Sequence, residues 1–250
     1  MDKPRIILLT AMKRELGPLL HKLGCTGRWR EKELLIYRIH QRRFDMLIVE
    51  SGMGRRQTEI AARFVVERLH PHIVVCCGFG GGLTRGRAPG SVLCAERVAF
   101  YDEKTGSIGE PLPIPRSEVG LQMPDVEMGT VITADQPPDK KRLASLLPAS
   151  FHPAVVDMET YYAAQIFLQA AVPFLSVRSV CDELEYEPGL DLELLLNRSG
   201  RIDFRRICAY ALADPKRIAR FFHLARRSAL AARSLCQRLA NFYYETPFSR

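Results

Sequence analysis

The segment from Val155 to Glu183 constrains the fold of this chain more than any other part of the sequence. Its residues, VVDMETYYAAQIFLQAAVPFLSVRSVCDE, predict a strand, a helix and a second strand. Asp157 closes the first strand, Glu159 opens the helix, and Asp182 ends the last strand. Because open α/β sheets bind their ligands at the carboxyl ends of strands, we expect these three carboxylates to gather at one edge of such a sheet.

Strands and helices alternate over residues 5–182, which predicts a mostly parallel sheet covered by helices on both faces. The apolar run Ile73–Cys77 is typical of a buried parallel strand. It leads into the glycine-rich sequence from Gly78 to Gly82, interpreted as a turn at which the backbone can approach a ligand closely. A tight strand exit with nothing bound is the alternative. The glycine spacing does not match the dinucleotide-binding fingerprint.

Each candidate acid also has a structural interpretation. Glu15 follows the first predicted strand by one helical turn and is compatible with a solvated helix face. Asp157 and Glu159 suit the start of a helix, where acids cap free N–H groups and complement the helix dipole. Asp182 is of the type that caps a helix or closes a turn.

Composition limits the class of protein. A chain of 250 residues is long enough for one large α/β domain. The apolar run Ile6–Leu9 is too short for the core of a signal peptide, and no apolar stretch approaches the roughly 20 residues of a membrane span. The seven cysteines form no C-x-x-C pair, and their odd number argues against a full disulfide framework, so we expect a reducing cytoplasm. No ligand cluster has metal spacing, so we expect no metal.

Positive charge is concentrated near the carboxyl end. Eleven Arg or Lys and only two acids lie between Arg198 and Arg238, which indicates an anionic partner. Helices are predicted over Ile202–Leu212 and Pro215–Phe242. A basic amphipathic helix can lie on anionic lipid. The alternative is a helix that packs on the core and leaves its basic face in solvent. Nucleic acid is not expected, because these helices lack aromatic platforms for bases.

Three segments carry a resemblance to a known family: ILLTAMKREL, then VESGMGRRQTEIAARFVVERLHPHIVVCCGFGGGL, then the strand–helix–strand segment that begins at Val155. Together and in this order they resemble the nucleoside phosphorylase/nucleosidase family, which includes purine nucleoside phosphorylase, methylthioadenosine/adenosylhomocysteine nucleosidase and futalosine hydrolase. The resemblance implies a three-layer αβα sandwich around a mixed, partly barrelled sheet. It also implies a single domain over residues 1–250, with a core at 5–185 and a basic helical appendage at about 198–243.

The resemblance also implies roles for residues that match the family motifs. Glu15 matches the glutamate that orients the attacking water. Met158 and Glu159 match the pair that holds the ribose, and Asp182 matches the aspartate that donates a proton or hydrogen bond to the purine. The other expected pocket residues are Asp157, Gly78, Phe79, Gly80, Gly81 and Cys181.

Departures from the family pattern bear on the nucleophile. Cys76 stands about where phosphorolytic purine members carry a phosphate-binding arginine, which favours water, because a phosphate without that cation is poorly compensated. Arg55, Arg56 and Arg85 could supply a different phosphate site, so phosphorolysis stays open.

Other departures bear on the ligand. Phe79 and Cys181 occupy positions where many relatives have serine. The loop Asp135–Pro138 corresponds to the base-stacking loop of relatives but differs in its side chains. The sequence therefore does not specify the identity of the base.

The expected function is cleavage of the N-glycosidic bond of a purine nucleoside, without a cofactor, by a cytoplasmic homo-oligomer. The basic tail resembles that of phosphorylase-like proteins of hopanoid assembly. This implies an adenosine derivative with a large 5′ substituent, such as adenosylhopane, and peripheral contact with the anionic inner membrane face. Two alternatives remain: a phosphorylase that gives ribose-1-phosphate, and a non-catalytic scaffold that binds nucleosides or membrane.

Overall fold

One mixed sheet and the helices packed on it make up the described part of the protein. The computed structural model describes residues 3–40, 44–114, 123, 126–186, 197, 200, 201, 203, 206, 210 and 215–245. The strands are β1 (Arg5–Thr10), β2 (Gly27–Glu31), β3 (Leu34–His40), β4 (Asp45–Glu50), β5 (Ile73–Gly82), β6 (Val92–Asp102), β7 (Ser107–Ile108), β8 (Leu112–Pro113), β9 (Glu127–Ala134), β10 (Ala154–Asp157) and β11 (Phe174–Asp182). The α-helices are α1 (Lys13–Leu23), α2 (Arg55–Phe64), α3 (Lys140–Leu146), α4 (Thr160–Gln169) and α5 (Pro215–Glu245).

The sheet closes on itself along part of its length. Its strand order is β10-β9-β6-β11-β5-β1-β4-β3-β2, and β10 also pairs with β5. Strands β5, β11, β6, β9 and β10 therefore form a five-stranded barrel, from which β1, β4, β3 and β2 extend. Pairing is parallel between β1, β4, β5 and β11, but antiparallel at β10–β5 and β11–β6. The mixed, partly barrelled sheet is confirmed, and the mostly parallel sheet predicted from alternation alone is corrected to a mixed one.

Alternating side chains of β1 divide the core into two layers. Ile6 and Leu8 pack into a cluster with α1 and α5, whereas Ile7 and Leu9 pack into a second cluster with α2 and α4. All four are at most 2% exposed, because successive side chains of a strand point to opposite faces and both faces are covered. The three-layer arrangement of helices, sheet and helices is thus confirmed.

The glycine-rich segment was wrongly predicted as a turn. Gly78–Gly82 continues β5, with β11 on one side and β10 on the other. Hydrogen bonding from both neighbours holds an extended backbone that glycine does not itself favour. The sequence also failed to indicate β2, whose GRWRE pattern alternates half-buried and exposed residues. The Gly- and Pro-rich stretch from Lys104 to Met123, whose composition predicts a loop, contains β7 and β8, and residues 115–122 lie outside the described ones.

Helix α5 confirms the helix predicted over Pro215–Phe242, and it packs along α1 and β11. Its buried residues include Leu235 and Leu239, which join the cluster containing Leu16 and Leu19 of α1. The earlier helix expected over Ile202–Leu212 falls mostly outside the described residues. No helix in the described ranges is long and apolar enough to cross a membrane.

Candidate active site

A cavity of about 510 Å³ lies at the carboxyl ends of β1, β10 and β11, where strand-end acids were expected to meet. Its volume falls in the range of about 300–1,000 Å³ that is typical of small-molecule sites. Of the predicted site residues, those that line it are Glu15, Phe79, Gly80, Gly81, Asp157, Met158, Glu159, Cys181 and Asp182. Gly78 lies behind the wall, against Glu15 and Arg178. The predicted residues are therefore brought together at one cavity.

Glu15 projects from the first turn of α1 and is only 2% exposed. Its Oε2 accepts hydrogen bonds from Thr10 Oγ1 at 2.6 Å and from the Met12 N–H at 2.8 Å. Its Oε1 accepts a hydrogen bond from the Phe79 N–H at 2.9 Å. Burial raises the pKa of Glu15 above its ordinary value, and these hydrogen bonds oppose that rise. The result is a rigid carboxylate at the cavity wall rather than an acid on a solvated helix face.

Asp157 is held by the backbone and side chains around it. It accepts hydrogen bonds from Thr133 Oγ1 at 2.6 Å, from the Thr160 N–H at 3.1 Å and from the Thr160 hydroxyl. These contacts satisfy N–H groups at the start of α4, as the capping interpretation expected. Asp157 thus both borders the cavity and fixes the junction between β10 and α4.

Arg178 was not among the predicted site residues, yet it organises the site. It lies in the middle of β11, its side chain is 1% exposed, and its Nη2 contacts Asp157 Oδ2 at 2.8 Å. Nη2 also donates to Thr160 Oγ1 at 2.8 Å and approaches Cys76 Sγ at 3.3 Å. Burial lowers the pKa of Arg178, but the charge of Asp157 and of the other nearby acids raises it overall. A guanidinium from β11 therefore lies beside Cys76, the position at which the resemblance implies a phosphate-binding arginine in phosphorolytic members.

Glu159 is the other strongly buried acid at the cavity. It is 8% exposed, and its Oε1 accepts a hydrogen bond from the Gly54 N–H at 2.9 Å. Burial and then the charge of Asp157 raise its pKa to about 7. Met158, which is half-buried, precedes it at the cavity wall. With Glu15, Glu159 and Asp157 near a single guanidinium, this region favours a ligand that carries or develops positive charge.

The opposite wall contains Asp182 and an unexpected lysine. Lys140, the first residue of α3, is 5% exposed and contacts Asp182 Oδ2. Cys181 Sγ lies 2.8 Å from Asp182 Oδ1. Burial, followed by the charge of Asp182, raises the pKa of the Cys181 thiol well above its ordinary value, so the thiol keeps its proton. Nothing in the sequence around Lys140 distinguishes it from a surface lysine, because the contact depends on the return of β11.

The remaining wall is mostly apolar and includes part of α5. Its residues are Ala11, Met12, Met53, Pro137, Pro138, Val156 and Leu224, with Ser228 and the exposed Arg14 beside them. Among the residues that the structure describes, no group of three or more His, Cys, Asp or Glu could hold a metal ion.

The comparisons with known proteins agree with this architecture. The family model described as the phosphorylase superfamily matches residues 5–199. A 5′-methylthioadenosine/S-adenosylhomocysteine nucleosidase of an Exiguobacterium species is 26% identical over 218 residues, which cover 78% of this chain and 92% of the relative.

Solved structures show the same fold. Futalosine hydrolase of Helicobacter pylori superposes with a TM-score of 0.72 at 16% identity, covering 97% of this chain and 98% of that one. The 5′-methylthioadenosine/S-adenosylhomocysteine nucleosidase of Helicobacter pylori superposes with a TM-score of 0.73 at 16% identity, covering 98% and 100%.

Gly78 should tolerate no side chain. A Cβ there would lie 2.5 Å from Arg178 Nη1 and 2.7 Å from Glu15 Oε1, so both buried groups would have to move. We expect Gly78→Ala to lower the free energy of unfolding by about 1–3 kcal/mol, measured by denaturant titration. The control is Gly27→Ala, whose Cβ would meet only Arg38 Cβ at 3.7 Å. Equal stability of the two variants would contradict the packing described here.

Proposed function

The chain belongs to the phosphorylase superfamily, and we propose on that premise that it is a nucleosidase, which hydrolyses the N-glycosidic bond of a purine nucleoside and releases the base. One observation carries the proposal: two rigid, buried carboxylates, Glu15 and Glu159, face the same cavity as the Lys140–Asp182 pair. Relatives and structural neighbours named as nucleosidases and a futalosine hydrolase support it.

The roles follow from the charges that the reaction develops. Breaking the bond places positive charge on the ribose and negative charge on the departing base. Glu15, fixed by three hydrogen bonds, would orient a water and take its proton. Glu159 would accept from ribose hydroxyls beside Met158, and its charge would stabilise the cationic sugar. Asp182 would contact the base at the opposite wall.

Water fits this cavity better than phosphate does. Arg55 and Arg85 have side chains that are 60% and 89% exposed, and neither they nor Arg56 line the cavity. Arg14 lines the cavity, but its side chain is exposed, and Arg178 lies behind the wall and already contacts Asp157. A phosphate dianion near Glu15 and Glu159 would thus meet like charge, which costs free energy. Phosphorolysis with release of ribose-1-phosphate is the second candidate.

The substrate of the proposed reaction is an adenosine derivative with a large apolar 5′ substituent, such as adenosylhopane. Support comes from α5, whose Leu224 lines the cavity while Ile218 and Phe222 are 41% and 74% exposed on the same helix. Arg220 and Arg226 are exposed nearby. We propose that this part of α5 contacts an anionic bilayer at the cytoplasmic face. The single domain and the homo-oligomer stay predictions.

An enzyme and a scaffold respond differently to loss of Asp182. We expect Asp182→Asn to lower kcat for base release by about 10²–10⁴-fold while the affinity for a non-hydrolysable nucleoside changes little, because proton donation acts in the transition state. Chromatography of free base from adenosine, methylthioadenosine, adenosylhomocysteine and a 5′-alkyl adenosine provides the rate. If the wild type binds nucleosides but releases base from none of them, the chain is a scaffold.

We expect protonation of Glu159 to lower kcat/KM as the pH falls through about 7. Its pKa is raised to about 7, so the carboxylate is protonated in mild acid and ionises as the pH rises through that value. We expect kcat/KM to increase from about pH 5 to about pH 8 with its half-point near 7, because only the ionised form stabilises a cationic sugar. A half-point near the ordinary value of 4.5 would contradict this assignment.

Membrane contact should depend on Phe222. Burial of one large apolar side chain is worth about 1.5–3 kcal/mol, so Phe222→Ser should weaken binding to phosphatidylglycerol vesicles about tenfold or more. The control is Leu146→Ser on α3, where the leucine is 43% exposed. Vesicle sedimentation at low salt measures both. If the wild-type protein does not sediment with the vesicles, the proposed membrane contact is wrong.

A further inference from the structure

Lys140 is an ammonium with every donor in use. It donates to Asp182 Oδ2, to the Glu183 carbonyl, and to the Tyr186 carbonyl at 2.7 Å. A lysine has three N–H donors and no acceptor, so no donor is left for a ligand. Whatever Lys140 does for a base bound in the cavity, it therefore does through Asp182.

The fold makes room for this pair. A Cβ on Gly81 would lie 3.1 Å from Lys140 Cδ and 3.2 Å from Asp182 Oδ2, closer than side chains normally approach. Burying an ammonium is costly unless it is paired and hydrogen-bonded, and here all three of its donors have acceptors. The wall at which we propose that the purine binds therefore contains a lysine–aspartate pair rather than a single acid.

The pairing creates a difficulty for the proposed chemistry. In this pair Lys140 Nζ is the donor and Asp182 Oδ2 the acceptor, so the shared proton lies on Lys140, and a departing base that contacts Asp182 reaches that proton only through the carboxylate. Cys181 does not readily donate a proton, because burial raises the pKa of its thiol well above the ordinary value. Pro137 and Pro138, which also line the cavity, have no N–H to donate.

We infer that Lys140 supplies, through Asp182, the proton that the departing purine takes up. This rests on the proposed function. As the C–N bond breaks, its electron pair goes to the purine, and a ring nitrogen takes a proton from Asp182. Asp182 takes one from Lys140, which becomes a neutral amine. The attacking water bonds to the sugar carbon and gives its proton to Glu15. Solvent then returns Lys140 to its ammonium form, and the proton on Glu15 returns to solvent.

Before the reaction, Lys140 and Asp182 together carry no net charge. As the bond breaks, the charge of the purine anion is neutralised by the relayed proton, whereas Asp182 ends the step ionised as it began. Lys140 is therefore a positioning residue in this reaction: it touches neither the sugar nor the base, and its effect is confined to the step in which the base departs.

The test compares Lys140→Met, Lys140→Arg and the control Lys141→Met on a series of 6-substituted purine nucleosides whose leaving groups differ in basicity. Lys141 is the exposed neighbour on α3. Met removes the proton source. Arg keeps a cation beside Asp182 but holds its proton, because a guanidinium is not deprotonated in proteins. Affinity for a non-hydrolysable nucleoside is measured for each variant to separate binding from turnover.

We expect Lys140→Met and Lys140→Arg to lose about 10²–10⁴-fold in kcat on the most basic leaving group and less than about tenfold on the least basic one. Lys141→Met should match the wild type throughout. Losses of equal size across the series, or wild-type rates for Lys140→Arg, would overturn the inference. A wild type that releases no base from any member would instead defeat the proposed function, so the two failures are distinguishable.

Discussion

The ion pair between Arg178 and Asp157 is the interaction on which the rest of the site depends. Both side chains are 1% exposed, and Nη2 and Oδ2 lie 2.8 Å apart. Removing one partner of such a pair generally costs about 3–5 kcal/mol, since the other charge is left uncompensated. Asp157 also caps α4 and Arg178 reaches Cys76 of β5, so the pair joins three strands and a helix behind the cavity. The charge of Arg178 also acts on Glu15 and Glu159, where it opposes the rise in pKa that burial causes.

The glycines of β5 allow charged side chains to lie against its backbone. Gly78 leaves space for Arg178 and Glu15, and Gly81 leaves space for Lys140 and Asp182. The two groups have opposite tasks in the proposed reaction, one beside the sugar that becomes cationic and the other beside the base that departs. The glycine-rich end of β5 thus sets the spacing between the two ends of the cavity.

Periodicity and strand-end acids were enough to predict most strands and helices and to place Asp157, Glu159 and Asp182 near one another, whereas Glu15 was located by the family resemblance. They were not enough to predict contacts between side chains on elements that are distant in sequence. Arg178 sits in the apolar run FLSVRSVCD and Lys140 begins an ordinary amphipathic helix, so neither carries a local signal of its buried partner. The strand conformation of Gly78–Gly82 was missed for the same reason, because it comes from pairing with β10 and β11 rather than from glycine.

In the proposed reaction water, and not phosphate, attacks the sugar. The most direct measurement is the rate of base release as phosphate is titrated from none to millimolar concentrations, with the sugar product identified by mass spectrometry. Hydrolysis predicts a rate that is independent of phosphate and a sugar with a free anomeric hydroxyl. A rate that rises from zero with phosphate, together with a sugar 1-phosphate, would contradict the account and would mean that the cavity holds phosphate despite Glu15 and Glu159.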